Sequence, residues 1–239
     1  MKIVVLKYGR IKLMAGFLAI VLSLPVIFCS VKIIGKPSSV KTDRAVMFII
    51  DPGHGGVDGG SSTADGVPEK LINLEIAIRL RDMLETAGLK TVMTRETDIS
   101  IHDIGADTIR KKKVSDLKNR LKLTEKYPEA IYVSIHQNEY SEQYVHGAQV
   151  FYSPNAPESK TLAALIQRHF NDTLQPDNNK VMKKCSDDVF VIHNAKSTAV
   201  LIESGFLSNR EEAAKLLSDS YQKQVAFTIF SALSEYIRL

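Results

Sequence analysis

A three-layer α/β fold is the architecture this sequence predicts, with helices covering both faces of a six-stranded, mostly parallel sheet and a transmembrane helix ahead of it. Three observations predict it. Short β-branched or aromatic runs alternate with helical patterns along residues 45–239. The runs are apolar enough to be covered on both faces, as parallel strands are. One uncharged stretch of nineteen residues stands apart near the N-terminus.

That stretch, Leu13 to Val31, would reach roughly 28 Å as a helix at about 1.5 Å per residue, close to the hydrocarbon core of a bilayer. Lys2, Lys7, Arg10 and Lys12 precede it in a basic cytoplasmic segment, residues 1–12, which sends everything after residue 35 outward. A cleaved signal peptide is the rival reading. Cleavage wants small residues just before the cut, and Phe28 and other bulky groups stand at the end of the run, so a retained signal anchor at 13–31 is expected. Residues 32–44 include Gly35, Pro37, Ser38 and Ser39 and read as a solvated linker.

The domain then occupies 45–239. Strands are expected at Val46 to Ile50, Lys90 to Thr94, Ile131 to Ile135, Gly147 to Tyr152, Val189 to Ile192 and Ala199 to Ile202, each bounded by turn formers. The stretch at 147–152 is a candidate antiparallel member. Helical spacing links Leu71, Leu74 and Ile78 beside Ile72, Ile76, Leu80 and Leu84. It returns over Lys111 to Lys126, Leu162 to Phe170 and Tyr221 to Ile237. No repeat of 20 to 50 residues is present, which excludes a solenoid or propeller.

The chain's net charge of +4 is uneven: residues 1–44 carry +7, whereas residues 45–239 carry −3. A mildly acidic domain lacks the positive field that phosphate-backbone binding needs, so nucleic acid is excluded as an expected partner. Cys29 falls in the membrane stretch and Cys185 far outside it, so no intramolecular disulfide is expected and Cys185 reads as a packing residue.

Chemistry in open α/β sheets collects where strands end. The first strand runs into Asp51-Pro52-Gly53-His54-Gly55-Gly56, the third into His136-Gln137-Asn138 and the last into Glu203-Ser204-Gly205-Phe206. The glycine-rich turn leaves the His54 imidazole free to point into a shared crevice. A phosphate loop does not fit, because no Gly-Lys-Ser/Thr ending follows and Asp58 stands where a dinucleotide fingerprint needs glycine. Taken singly, Glu69 reads as a helix-start charge and His136 as a structural histidine. Together with His54 they make a donor set that suits catalytic Zn²⁺, with a fourth position open for water. Glu203, delivered by an apolar strand, is the candidate catalytic base. A serine hydrolase is excluded by the absence of Gly-x-Ser-x-Gly. His102, His146 and His169 read as ordinary loop or helix residues, and His193 as a minor substrate-contact candidate.

These segments resemble the zinc-dependent N-acetylmuramoyl-L-alanine amidases. That family's motifs Asp-Pro-Gly-His-Gly-Gly, Ser-Ile-His-x-Asn and Glu-x-Gly-Phe-Leu-Ser-Asn stand at 51–56, 134–138 and 203–209. Glu69-Lys70 with Asn73-Leu74-Glu75, Thr94-Arg95 with Asp98, and 147–152 match in the same order, so the resemblance covers about residues 46–238. It implies one zinc ion per chain held by His54, Glu69 and His136, with Glu203 as catalytic acid and base. It implies cleavage of the amide between the lactyl group of muramic acid and the L-alanine of the peptidoglycan stem. Leu71 stands where the family often has aspartate, and Glu139 where it often has a small residue.

Within the family the chain is similar to the spore-cortex amidases of endospore formers, in its small size, its N-terminal membrane segment, its lack of wall-binding repeats and the stretch Ile109 to Arg120. This similarity implies action in spore cortex, where removal of stems prepares muramic-δ-lactam, and a location in the forespore intermembrane space. Expected partners are peptidoglycan, the membrane through the N-terminal helix, an activating protein and a muramic acid deacetylase acting on the product. Lys111 to Lys113 read as a solvated helix start before an anionic-polymer site. Two rival readings remain: a catalytically silent wall-binding module of the same fold, and a zinc peptidase cutting within the stem.

Overall fold

The computed structural model describes residues 46–238. The expected basic segment at 1–12, membrane helix at 13–31 and linker at 32–44 lie outside the described residues. Among the described residues no helix is long and apolar enough to cross a membrane.

Six strands form one mixed sheet. They are β1 (Met47–Pro52), β2 (Lys90–Met93), β3 (Ile131–Asn138), β4 (Gln149–Tyr152), β5 (Lys183–Lys184) and β6 (Ala199–Phe206), in the order β2-β1-β3-β6-β4-β5. The first four positions in that order are mutually parallel. β4 runs antiparallel to β6, as its sequence suggested, and β5 runs parallel to β4. The helices are α1 (Glu69–Thr86), α2 (Ile109–Lys126), α3 (Pro157–His169), α4 (Phe190–Asn194), α5 (Arg210–Leu216) and α6 (Asp219–Tyr236). A π-helical turn, Phe170–Leu174, continues α3.

Alternation along the central strands builds the layers. Phe48, Ile50, Val133, Ile135, Val200 and Ile202 face a large core formed with α1, α3 and α6, while Ile49, Tyr132, Ala199 and Leu201 face a smaller one under α2 and α4. Successive side chains of a strand point to opposite faces, so both faces must be apolar here. α1 turns a stripe of Ile72, Ile76, Leu80 and Leu84 inward, one residue every four along the helix. α2 starts at the Thr108 cap, whose hydroxyl accepts from Lys111 N at 3.2 Å. Cys185 is buried in the smaller core, so its packing role holds.

One expected strand is wrong. Phe190 to Ile192 lie in a short helix with Val189 as its N-cap, and the fifth strand is instead Lys183–Lys184, paired with Phe151 and Tyr152. A four-residue apolar run carries no periodicity that separates strand from buried helix. Here Val191 and Ile192 pack beside Cys185 and Leu201 rather than forming a ladder. Three other strands run past their expected ends: β1 continues to Pro52, pairing with β3 up to Ile135, while β3 continues to Asn138 and β6 to Phe206 because those two pair with each other through His136 and Glu203. α5 was not legible in the hydrophobic pattern.

Candidate metal centre

All four expected site residues lie at the C-terminal edge of the parallel strands. His54 follows β1 with φ 62°, the one non-glycine residue with positive φ among those described. Two buried guanidiniums hold that backbone. Arg95 Nε donates to the carbonyls of Pro52 (3.0 Å) and His54 (2.8 Å), and its Nη2 donates to those of Gly53 (2.9 Å) and Lys70 (2.8 Å). Arg120 reaches the same Pro52 and His54 carbonyls at 3.0 and 2.7 Å and pairs with Asp51 and Asp116. Against the ligand side chains themselves, glycine is required twice. A Cβ on Gly53 would lie 2.1 Å from His136 Nε2, and one on Gly60 would lie 2.4 Å from Glu69 Oε2 and 2.7 Å from His54 Cδ2.

The three donors converge. Glu69 Oε2 is 3.2 Å from His54 Nε2, Glu69 Oε1 is 3.0 Å from His136 Nδ1, and one ligand atom from each residue lies within 4.8 Å of the others. Ligand atoms around a tetrahedral zinc stand about 3.5 Å apart, given bonds near 2.0–2.2 Å, so the set fits that ion. The outer contacts fit as well. His54 Nδ1 donates to Asp58 Oδ2 at 3.0 Å, which turns Nε2 toward the carboxylate. Lys113 Nζ holds the other Asp58 oxygen at 2.9 Å. Glu69 accepts from Asn73 Nδ2 (2.9 Å), Gln137 N (3.0 Å) and Ser61 N (3.0 Å). Such partners fix the orientation of metal ligands.

Charge follows from this packing. Burial works against an ionised Glu69, but the bonds from His136 and His54 outweigh it and hold the carboxyl well below the usual range. Burial also opposes a charged His54, yet Asp58 and Glu69 push its pKa up to about 9. Both acids are therefore anions that favour positive charge on His54, and a metal ion bound among the three donors would take the place of that proton.

Glu203 lies in β6 directly beside His136 of β3. Its Oε2 is shut from solvent with no hydrogen-bond partner. Burial, helped by the Glu69 charge, raises its pKa to about 7 against the pull of His136 and His54. An unpartnered buried carboxylate oxygen is rare and calls for a functional account.

Two spaces meet at this centre. A polar cleft of about 610 Å³ is lined by His54, Glu69, His136, Glu203 and residues 137–141, including the exposed Glu139. A narrower one of about 320 Å³ runs between α2 and α4, walled by Leu117 and Val189 to Ile192. His193 lies one residue beyond that wall, its carbonyl accepting from Asn155 Nδ2 at 2.6 Å. His169 pairs with Glu235 at 2.8 Å and His102 with Ser100 at 2.8 Å, in keeping with ordinary roles.

Sequence reasoning did not single out Asp58, Arg95 or Arg120 as supports of His54, nor Asn73 as a support of Glu69. Asp58, four residues after His54 in a glycine-rich turn, was the findable one. The arginines come from distant elements: Arg95 stands in a matched segment, but nothing local ties either arginine to His54.

The sequence profile of the N-acetylmuramoyl-L-alanine amidase family matches residues 48–235. The germination-specific N-acetylmuramoyl-L-alanine amidase of Bacillus subtilis is 35% identical over 201 residues, covering 84% of this chain and 83% of that protein. Among solved structures, the CwlD amidase from Clostridioides difficile, in complex with the GerS lipoprotein, superposes with a TM-score of 0.77 at 34% identity, covering 81% of this chain and 98% of that one. The amidase AmiC2 of Nostoc punctiforme superposes at 0.70 with 26% identity, covering 82% and 99%.

Proposed function

The chain belongs to the N-acetylmuramoyl-L-alanine amidase family, and from that premise we propose that it hydrolyses the amide between the lactyl group of N-acetylmuramic acid and the L-alanine of the peptidoglycan stem, in spore cortex. Three donor atoms within 4.8 Å of one another, beside a carboxylate oxygen that lacks a partner, carry this reading. The likeness to a germination-specific amidase supports the cortex role.

His54, Glu69 and His136 would hold one Zn²⁺. When bound, the ion supplies Lewis acidity at the amide carbonyl and lowers the pKa of a water toward about 7. Glu203 takes the proton from the attacking water at a carboxylate oxygen. Burial of that carboxyl works against its charged form and so favours uptake of a proton. As the water oxygen bonds to the lactyl carbon and the carbon–nitrogen bond breaks, Glu203 returns the proton to the departing alanine nitrogen. Asp58 keeps the His54 ring turned inward through Nδ1, and Asn73 holds the Glu69 carboxylate through Oε1.

Residues 45–239 form the catalytic domain in this reading, tethered outside the cytoplasm by the apolar run at 13–31. That tether rests on the uncharged run and the basic residues ahead of it. A protein partner is supported by the solved complex of the CwlD amidase with a lipoprotein.

Digestion of purified peptidoglycan, read by mass spectrometry, tests the activity. Intact stem peptides and bare muramic acid should appear with zinc and vanish with a chelator. Cuts inside the stem, or binding without release, would contradict it. Glu203→Ala should lower release by about 10²-fold or more.

A further inference from the structure

We propose that the loop at 139–146 and the cleft behind it form a subsite for the glycan strand, with Tyr144 stacking on a sugar ring; this rests on the peptidoglycan reading above. Among the described residues, Tyr140 (56% exposed) and Tyr144 (78%) stand out in solvent, whereas Tyr127, Tyr132, Tyr152, Tyr221 and Tyr236 all pack against the two cores. The two exposed rings share one loop. Tyr140 lines the metal cleft, and Tyr144 lines a second cleft of about 870 Å³, the largest of those described.

The loop is fixed at both roots. Tyr140 N donates to Ser208 Oγ at 3.0 Å, and Leu207 N donates to the Asn138 carbonyl at 2.8 Å. At the far end Gly147 N donates to the buried Glu212 at 3.0 Å, and His146 Nδ1 donates to the Tyr144 carbonyl at 3.1 Å. Two bulky rings held in water on an anchored backbone lower the ordering cost of binding.

The chemistry of the cleft matches a sugar polymer. A hexosamine ring offers C–H groups on its face and hydroxyl and acetamido groups at its rim. The C–H groups suit the electron-rich face of a tyrosine, and Gln143, Ser220, Gln224 and Lys215 line the cleft as exposed partners for the rim. A strand whose muramic residue sits at Glu203 must leave the centre on some side. The space between α2 and α4 is narrow, about 320 Å³, which suits a small side group, while the tyrosine loop borders the much roomier cleft of about 870 Å³.

Two measurements on the full chain test this. Titration of peptide-free glycan strands into the zinc-free protein should show binding, weakened about tenfold in Tyr144→Ala and kept in Tyr144→Phe, since the ring and not the hydroxyl makes the contact. The ratio of kcat/KM on polymeric peptidoglycan to kcat/KM on a single muramoyl peptide should fall about tenfold in Tyr144→Ala. Equal folding of the two variants is checked by thermal melting. Stem release with no glycan binding and an unchanged ratio overturns the subsite while leaving the amidase reading intact. The tyrosines would then belong to a protein interface. Glycan binding that depends on the Tyr144 ring, in a protein that releases no stems, supports the subsite and strikes the amidase reading instead.

Discussion

Replacing Asp51 by asparagine tests the frame on which the metal loop hangs. Asp51 is buried, accepts from Thr94 Oγ1 and Ser134 Oγ at 2.7 Å each, and pairs with Arg120. Arg120 in turn grips the Pro52 and His54 carbonyls. Asparagine keeps the shape but removes the charge, leaving the buried guanidinium with Asp116 alone. Removing one partner of a buried pair costs about 3–5 kcal/mol, which for a domain of this size lowers Tm by roughly 6–20 °C. The pH dependence has a definite sign. Burial opposes ionisation of Asp51, but Arg120, Ser134 and Thr94 outweigh it and hold the folded pKa well below the unfolded value. The wild-type advantage is therefore complete above about pH 4 and shrinks as pH falls toward the folded pKa. Thermal and urea melts of the metal-free proteins at pH 7, 4 and 3 read this out. A difference under about 1 kcal/mol at pH 7, or one that grows as pH falls, would refute the reasoning.

Three further outcomes follow from the same contacts. Asp58→Asn removes the carboxylate that orients His54 and should weaken zinc affinity about 10- to 100-fold in competition with a chromophoric chelator. Gly53→Ala places a methyl group 2.1 Å from His136 Nε2, so it should abolish zinc binding while the far-ultraviolet circular dichroism stays native. Glu203→Gln should stabilise the metal-free protein by on the order of 2 kcal/mol at pH 8 and by much less at pH 5. The carboxyl raised to about 7 costs folding stability only once pH exceeds its unfolded value of about 4.3. Urea unfolding at the two pH values decides, and equal effects at both would count against a desolvated, unpartnered Oε2 on Glu203.

The parts of the fold legible in the sequence are those with a strong local period. The alternating strands β1, β3 and β6 and the inward stripe of α1 announced themselves, because burial on both faces or one stripe leaves a pattern in composition. The swap of Val189 to Ile192 for Lys183–Lys184 was not legible. A two-residue edge strand has no periodicity, and a short apolar run packs equally well as a helical turn. At the site, His54, Glu69, His136 and Glu203 could be named from their motifs, and the structure brings them to one edge. The residues that hold them could not be named as supports: Arg95 and Arg120 act through backbone carbonyls more than 40 positions away, and no local pattern encodes such a contact.

Metal content and turnover measured on the same samples test the central claim most directly. Elemental analysis of the wild type, His54→Ala, Glu69→Ala, His136→Ala and Glu203→Ala, paired with stem release from peptidoglycan, separates holding the ion from using it. One zinc per chain is expected in the wild type and in Glu203→Ala, little in the three ligand variants, and stem release by the wild type alone. Full zinc in a ligand variant, or undiminished release without the Glu203 carboxylate, contradicts that claim.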